Sequence, residues 1–384
     1  MSTKILYIAN IRLPTEKAHG IQIMKMCEAF AEHGAEVTLV VPWRFNPITK
    51  DPFDYYAVKK IFTITKVPSL DLVSLGAVGF WIQALSFAEV ASWYALFKKS
   101  DIIYSRDELV LWFLALLKRN LVWEAHTPRF NAIIASVVRH TRRIVVISGG
   151  LKFFFTEKGV PAESILVAHD GVDMEQFAPI DMTQAREKLH LPRDKKIVGY
   201  VGKYKTMGKP KGVDELIEAF ATVSEKDSEA LLLLVGINEE EKKEVEEKLQ
   251  RAGLKEESYR VISHVPQYDI PRYLSSTNVL VMNYPDAEHY ALYMSPLKLF
   301  EYMAAKRPII ATDLPVVREV LNEASALLIL PDNTAALASA LEEALQNGEA
   351  GRARAEEARK EVEKYSWDAR AKNILSFSIG ESTS

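Results

Sequence analysis

A strand-then-helix alternation runs through this chain twice, and few folds accept that pattern. In the first pass Lys4–Ala9 reads as a strand, followed by a polar loop through Pro14 to His19. Gly20 then opens a helix with apolar Ile21, Met24, Cys27 and Ala31 at helical spacing, ending near Gly34. Further strands are expected at Glu36–Val41, Ile61–Val67, Asp101–Tyr104, Leu121–Glu124 and Ile144–Ile147, with helical runs between them. The second pass begins with a strand at Lys196–Val201, a helix at Val213–Val223 and a strand at Ala230–Val235. A charged amphipathic helix at Glu239–Ala252 follows, then strands at Val279–Met282, Ile309–Ala311 and Ala326–Leu330. Strands separated by helices pair in parallel, so the class is α/β, with two Rossmann-like, doubly wound domains. A chain of 384 residues also exceeds one ordinary core. The turn-rich DGVDMEQFAP at Asp170–Pro179 has neither period and serves as the linker, giving domains of 1–178 and 179–366. Neither half carries a GxGxxG turn after its first strand, which argues against a nicotinamide or flavin enzyme.

Charge narrows the partners. A net charge of −3 gives no reason to expect nucleic acid. Residues 1–178 carry 20 Lys+Arg against 17 Asp+Glu, and the remainder 28 against 34, so the first half is the better candidate to approach an anionic surface. The single Cys27 excludes an internal disulfide, fits a reducing compartment, and sits on an apolar helix face as core. A strand-like ILYIA directly after Lys4 leaves no room for a signal peptide, so the expected location is cytoplasmic. Leu72–Phe97 is rich in apolar residues, including Phe80, Trp81, Phe87, Trp93, Tyr94 and Phe97. Gly76, Gly79, Gln83 and Glu89 interrupt it before the roughly 18 apolar residues of a spanning helix. It reads either as packing behind an acceptor cleft or as a helix lying on a membrane, with Lys98 and Lys99 at its end.

Four places carry chemistry. In SPLKLFEYMAAKRPIIATDLPVVRE, Ser295 suits an N-cap, Pro296 the first helical position, and Leu297, Phe300 and Ala304 form an apolar stripe. The free N–H groups of such a helix start are an anion site. Lys298 in the first turn opposes the helix dipole unless a phosphate sits there, and Glu301 can accept from sugar hydroxyls. The loop GKYKTMGKPKG sets Lys203, Lys205, Lys209 and Lys211 between a strand end and a helix start, which suits a diphosphate. His126 follows the strand LVWEA at a carboxyl end and can polarise or orient a substrate, although a structural histidine is the alternative. Gly20 permits close backbone approach to a ligand, or simply starts a helix.

With these pieces in place the chain resembles the retaining glycosyltransferases of GT-B fold, family 4, the group 1 glycosyl transferases. The resemblance rests on AHGIQ, VVISGGLKFFFTEKGVPAESILVAHDGVDMEQFAP, GYVGKYKTMGKPKGVDELIEAF, the SPLKLFEYMA stretch and the closing YSWDARAKNIL, in that order. It implies two domains facing across a cleft, with the C-terminal segment 367–384 returning to the first through the helix Trp367–Ser378. It implies transfer of a hexose from a UDP- or GDP-sugar co-substrate to a glycan, lipid-linked or surface-polysaccharide acceptor, with retained anomeric configuration. Lys203 and Lys211 would hold the diphosphate and offset charge on the leaving group, helped by amides around Ser295–Leu297. Glu301 would bind the ribose, Val265 would meet the base through the backbone, Gly20 would approach the phosphate or sugar, and His126 would contact the donor sugar. No metal or other cofactor is expected, in keeping with the absence of a DxD motif. A membrane contact would be peripheral and made by the first domain.

Two positions depart from the family pattern. An E-x7-E motif commonly ends at the residue matching Glu301, but here its first position is Tyr293, whose phenol cannot supply a carboxylate. Either Glu288 or His289 would then take over donor contacts, or activity would be altered. Lys306 stands where a glycine commonly ends the helix, which makes a strained left-handed C-cap. Two other classes fit the same sequence: a sugar-nucleotide epimerase of this fold, and a non-catalytic nucleotide-sugar-binding partner protein.

Overall fold

The computed structural model describes residues 2–118, 120–141, 143–206 and 209–380, with only the backbone of Thr206, Lys209 and Pro210. Met207 and Gly208 of the lysine loop, and residues 381–384, lie outside that range. The chain forms two compact units, Met1–Gly171 with Trp367–Ser384, and Val172–Ser366. The sequence set the boundary seven residues later. It moves back because Val172 already bonds the Tyr365 carbonyl, at 2.9 Å, and Phe177 is buried in the second core.

The first unit is a seven-stranded sheet of β1 (Lys4–Ile8), β2 (Glu36–Pro42), β3 (Thr63–Val67), β4 (Ile102–Ser105), β5 (Leu121–Ala125), β6 (Arg143–Val146) and β7 (Ile165–Val167). Every pairing is parallel, in the order β3-β2-β1-β4-β5-β6-β7. The second unit has β8 (Lys196–Val201), a short hairpin of β9 (Lys205–Thr206) and β10 (Lys209–Pro210), then β11 (Ala230–Val235), β12 (Tyr259–Ile262), β13 (Val279–Met282), β14 (Ile309–Thr312) and β15 (Leu327–Ile329). Its parallel order is β12-β11-β8-β13-β14-β15. Each sheet reverses winding direction once, between β1 and β4 and between β8 and β13. The crevice outside the strand ends at such a reversal is where ligands bind in this architecture.

The second sheet shows why the strands were readable. Along β11, Leu231, Leu233 and Val235 enter one core, while Leu232 and Leu234 enter the other. Helices cover both faces, so the run ALLLLV is apolar throughout. β7 and β12 have no counterpart in the sequence reading. Both are short, and β12 is an edge strand that leaves Arg260 exposed, so neither shows a clean period.

The helix Gly76–Phe97 belongs to the first unit. Its buried face carries Ala84, Phe87, Ala88, Ala91 and Ala95, and Gln83 donates to Asn10 Oδ1 at 2.9 Å. The opposite face is exposed and apolar: Val78, Phe80, Trp81, Leu85, Trp93 and Phe97 all lie at 46–83% exposure. By length and mean hydropathy alone (1.4), Val73–Phe97 is apolar enough to cross a membrane, yet one face is committed to this core. The helix Trp367–Ile379 packs on the same unit, burying Trp367, Arg370, Ala371 and Ile374. A Cβ on Gly171 would come within 3.0 Å of the Trp367 ring.

Candidate functional site

In the second unit, the residues singled out from sequence gather at the carboxyl ends of β8 and β13. β8 ends at Val201, and the next residues are Gly202 and Lys203. The following loop returns to Lys211 and Gly212, where the helix Val213–Lys226 begins. Gly212 is left-handed (φ +77), and a Cβ there would lie 1.5 Å from the Asn283 carbonyl oxygen. Only glycine allows the loop to close against the end of β13, and Asn283 Nδ2 donates to the Gly212 carbonyl at 3.2 Å. The loop's positive charge is smaller than its composition suggests. Lys205 bonds both oxygens of Glu244, at 2.7 and 2.8 Å, so it is a structural tie rather than a ligand-facing cation. The side chain of Lys209 lies outside the described residues.

The helix Leu297–Ala304 starts one residue later than expected. Pro296, not Ser295, is the N-cap, with extended backbone (φ −79, ψ 123) and no side-chain cap hydrogen bond. A proline side chain carries no acceptor, so it cannot cap the N–H groups of the first turn. The expected anion-binding geometry survives the shift, since the N–H groups of Leu297 and Lys298 have no acceptor among the described residues. Lys298 is 8% exposed, and its ammonium lies 4.1 Å from the Tyr200 ring centre and 4.7 Å from that of Tyr284. It has no hydrogen-bond partner among the described residues. Burial, together with Lys211 nearby, holds its pKa well below the usual lysine range, and Glu301 only partly opposes this. Burial and the charge of Lys203 bring Lys211 down to about 8. No carboxylate contributes to the Lys211 shift, which burial and Lys203 account for. Lys211 thus lies close enough to both Lys203 and Lys298 to feel or exert their charge, and Glu301 is the carboxylate that acts on Lys298.

Glu301 stands one turn into the helix and accepts from Gln267 Nε2 at 2.9 Å. Burial pushes it up to about 7, against the pull of Gln267 and Lys298. The same bond brings the loop after β12 to this helix, and half-buried Val265 lies in that loop, packed against the core. Tyr302, which the sequence reading passed over, fixes the helix to β8: its hydroxyl accepts from Val201 N at 2.8 Å and donates to Val201 O at 3.2 Å. Its only signal is a tyrosine next to Glu301, indistinguishable in sequence from core. Tyr293 is 9% exposed, and its hydroxyl donates to Glu288 Oε1 at 3.3 Å, so a carboxylate reaches the departing position from five residues upstream. Lys306 has φ +55, the left-handed C-cap expected, and pairs with Glu356 at 2.6 Å.

Gly20 and His126 belong to the first unit and are described there. Gly20 is the third residue of the helix Ala18–Glu32, not its opening. A Cβ on it would meet the Tyr56 hydroxyl at 2.2 Å, and that hydroxyl bridges Thr15 N and O, both at 2.7 Å. An internal contact thus accounts for this glycine. His126 follows β5, with Nε2 2.7 Å from Glu124 Oε1 and 18% of the side chain exposed. Gln22, two residues after Gly20, donates to the same carboxylate oxygen. The start of the first long helix and His126 are therefore joined through one buried group.

With this geometry in hand, the chain was compared with known proteins. The family model described as Glycosyltransferase Family 4 matches residues 20–176, and that described as Glycosyl transferases group 1 matches residues 181–361. The chain belongs to glycosyltransferase family 4. This family 4 chain is 25% identical over 276 residues to a D-inositol 3-phosphate glycosyltransferase of Corynebacterium urealyticum, covering 68% of this chain and 63% of that protein. It is 27% identical over 271 residues to a phosphatidyl-myo-inositol mannosyltransferase of Mycobacterium leprae, covering 70% and 69%. It thus spans about two thirds of the length of these curated relatives. Among solved structures, Anabaena HepE in complex with UDP and glucose matches with a TM-score of 0.74 at 16% identity, covering 97% of this chain and 98% of that one. The fold is GT-B.

Proposed function

We propose that this family 4 chain transfers a hexose from a UDP- or GDP-sugar to a glycan or lipid-linked acceptor, with retention of anomeric configuration. One observation carries the reading: Lys203, Lys211 and Lys298 crowd together, only partly offset by Glu301, beside a helix start with free amides. Mutual repulsion and burial make that arrangement unfavourable unless a dianion occupies it. A diphosphate supplies the charge, and the same cations then stabilise the departing nucleotide, so the chemistry proceeds without a metal. Glu301 takes the ribose hydroxyls, the segment at Val265 takes the base, and His126 meets the donor sugar. A bound UDP in HepE, at the same fold, supports a nucleotide diphosphate as co-substrate.

The acceptor is proposed to reside at the cytoplasmic face of a membrane. The exposed apolar face of Gly76–Phe97 is continued by Trp112, Phe113, Leu116 and Leu117, with Lys98, Lys99 and Lys118 around it.

Thermal melting with a panel of UDP-, GDP- and ADP-sugars tests the donor site, since a ligand bound only to the folded chain raises Tm. One nucleotide series is expected to stabilise the wild type, and Glu301→Ala is expected to abolish the shift. If no nucleotide sugar moves the wild type, and Glu301→Ala melts identically, the reading is wrong.

A further inference from the structure

Unit 1 has a polar cluster built around one carboxylate. Glu124 has no exposed surface. Its Oε1 takes three donors: Gln22 Nε2, His126 Nε2 at 2.7 Å and Arg370 Nη2 at 2.9 Å. Its Oε2 takes the Tyr104 hydroxyl. Arg106 donates to Gln22 Oε1, on the far side of that amide. A buried carboxylate deprived of its cation is strongly destabilising, and Arg370 is the cation in direct contact. Burial alone would raise the Glu124 pKa, but Arg370, then His126 and Arg106, hold it well below the usual carboxylate range.

Arg370 comes from the C-terminal helix, three residues after the chain re-enters this unit at Trp367. Its orientation is fixed independently of Glu124, by Nε donating to the His169 carbonyl at 2.8 Å and Nη2 to that of Ala168 at 3.3 Å. A carboxylate only accepts, so His126 Nε2 must carry the proton that faces it. Nδ1 has no partner among the described residues and keeps its lone pair.

We propose that Arg370 is a positioning residue for His126: it holds the Glu124 carboxylate, which fixes the imidazole with its proton on Nε2 and its Nδ1 lone pair directed to a sugar hydroxyl. The sugar hydroxyl rests on the function proposed above, whereas the tautomer does not. The other charged groups around the cluster are Arg106, Asp170 and His19, and none of them touches Glu124 directly.

The test is nitrogen NMR on the full chain labelled with 15N-histidine, with His126 assigned by His126→Asn. In the wild type, one neutral tautomer protonated at Nε2 is expected from pH 5 to 8, because burial and the arginines lower the imidazole to about 4. An Nδ1-protonated or cationic ring in that range overturns the proposal without any variant. Arg370→Met is expected to give mixed tautomers, and Arg370→Lys to restore the Nε2-protonated form. If Arg370→Met does not fold, Arg370→Gln replaces it, and an unchanged His126 signal in either folded variant overturns the proposal. In turnover, Arg370→Met is expected to lower kcat about tenfold or more at unchanged KM for the nucleotide sugar. The NMR outcomes remain readable if the chain proves not to be a transferase, so the two failures are distinguishable.

Discussion

At Lys298 the first helical turn carries a cation where a helix dipole disfavours one, and the structure buries it between two tyrosine rings with no hydrogen-bond partner among the described residues. That conflict between local rule and local structure marks Lys298 as a residue whose place helix capping does not explain. Two neighbouring groups set the pH dependence. Glu301 has its pKa raised to about 7, so the free chain loses stability from this group as pH rises from about 4.5 to about 7. Lys211 has its pKa lowered to about 8, so stability is recovered as pH rises above about 8 towards the ordinary lysine value. Donor binding runs the other way, needing an ionised Glu301 and a cationic Lys211. The expected kcat/KM profile for a nucleotide sugar is therefore bell-shaped with its maximum between pH 7 and 8. The diphosphate of such a sugar does not titrate in that range, so a flat profile from pH 6 to 9 would remove both groups from the site.

At the scale of elements, the working unit is the strand β8, the lysine loop and the helix start that faces it. Three ties hold these pieces in register: Tyr302 to Val201, Asn283 to Gly212, and Lys205 to Glu244. Glu244 lies in the charged amphipathic helix Glu239–Arg251, whose sequence shows no sign of a tie to this loop, yet it anchors the loop. Gly212→Ala should break the second tie, since its Cβ overlaps a backbone oxygen and the residue is left-handed. A loss of about 2–4 kcal/mol in denaturant unfolding is expected, together with loss of the nucleotide-dependent Tm shift. A variant that binds nucleotide sugar like the wild type would show that the loop does not shape the site. The strands themselves were legible because buried parallel strands are apolar on both faces. The helix start at Leu297 was missed by one residue because capping chemistry alone does not say whether a proline lies inside the helix or at its edge.

On the scale of the whole molecule, the exposed apolar face of Gly76–Phe97 stands out. Its Trp81, Leu85 and Trp93 are 53%, 46% and 56% exposed, more than packing in this unit requires. Co-sedimentation with vesicles containing anionic lipid is expected to capture the wild type and to lose Trp81→Ser/Trp93→Ser by about tenfold or more, with unchanged melting. Equal capture of both proteins would leave that face without a role in membrane contact.

The sequence by itself determined the two α/β units, the class of each sheet and the kind of residue at each strand end, because period and loop position are local properties of the chain. It also located the lysines, Glu301 and His126, since charged and titratable residues at strand ends are conspicuous. Only the tertiary structure decided which of these act together. Lys205 is neutralised by a helix 39 residues away, Gly20 is explained by Tyr56, and Glu124 is reached by an arginine 246 residues later. Burial, pairing and pKa depend on neighbours brought from distant sequence, and no local pattern encodes who those neighbours are.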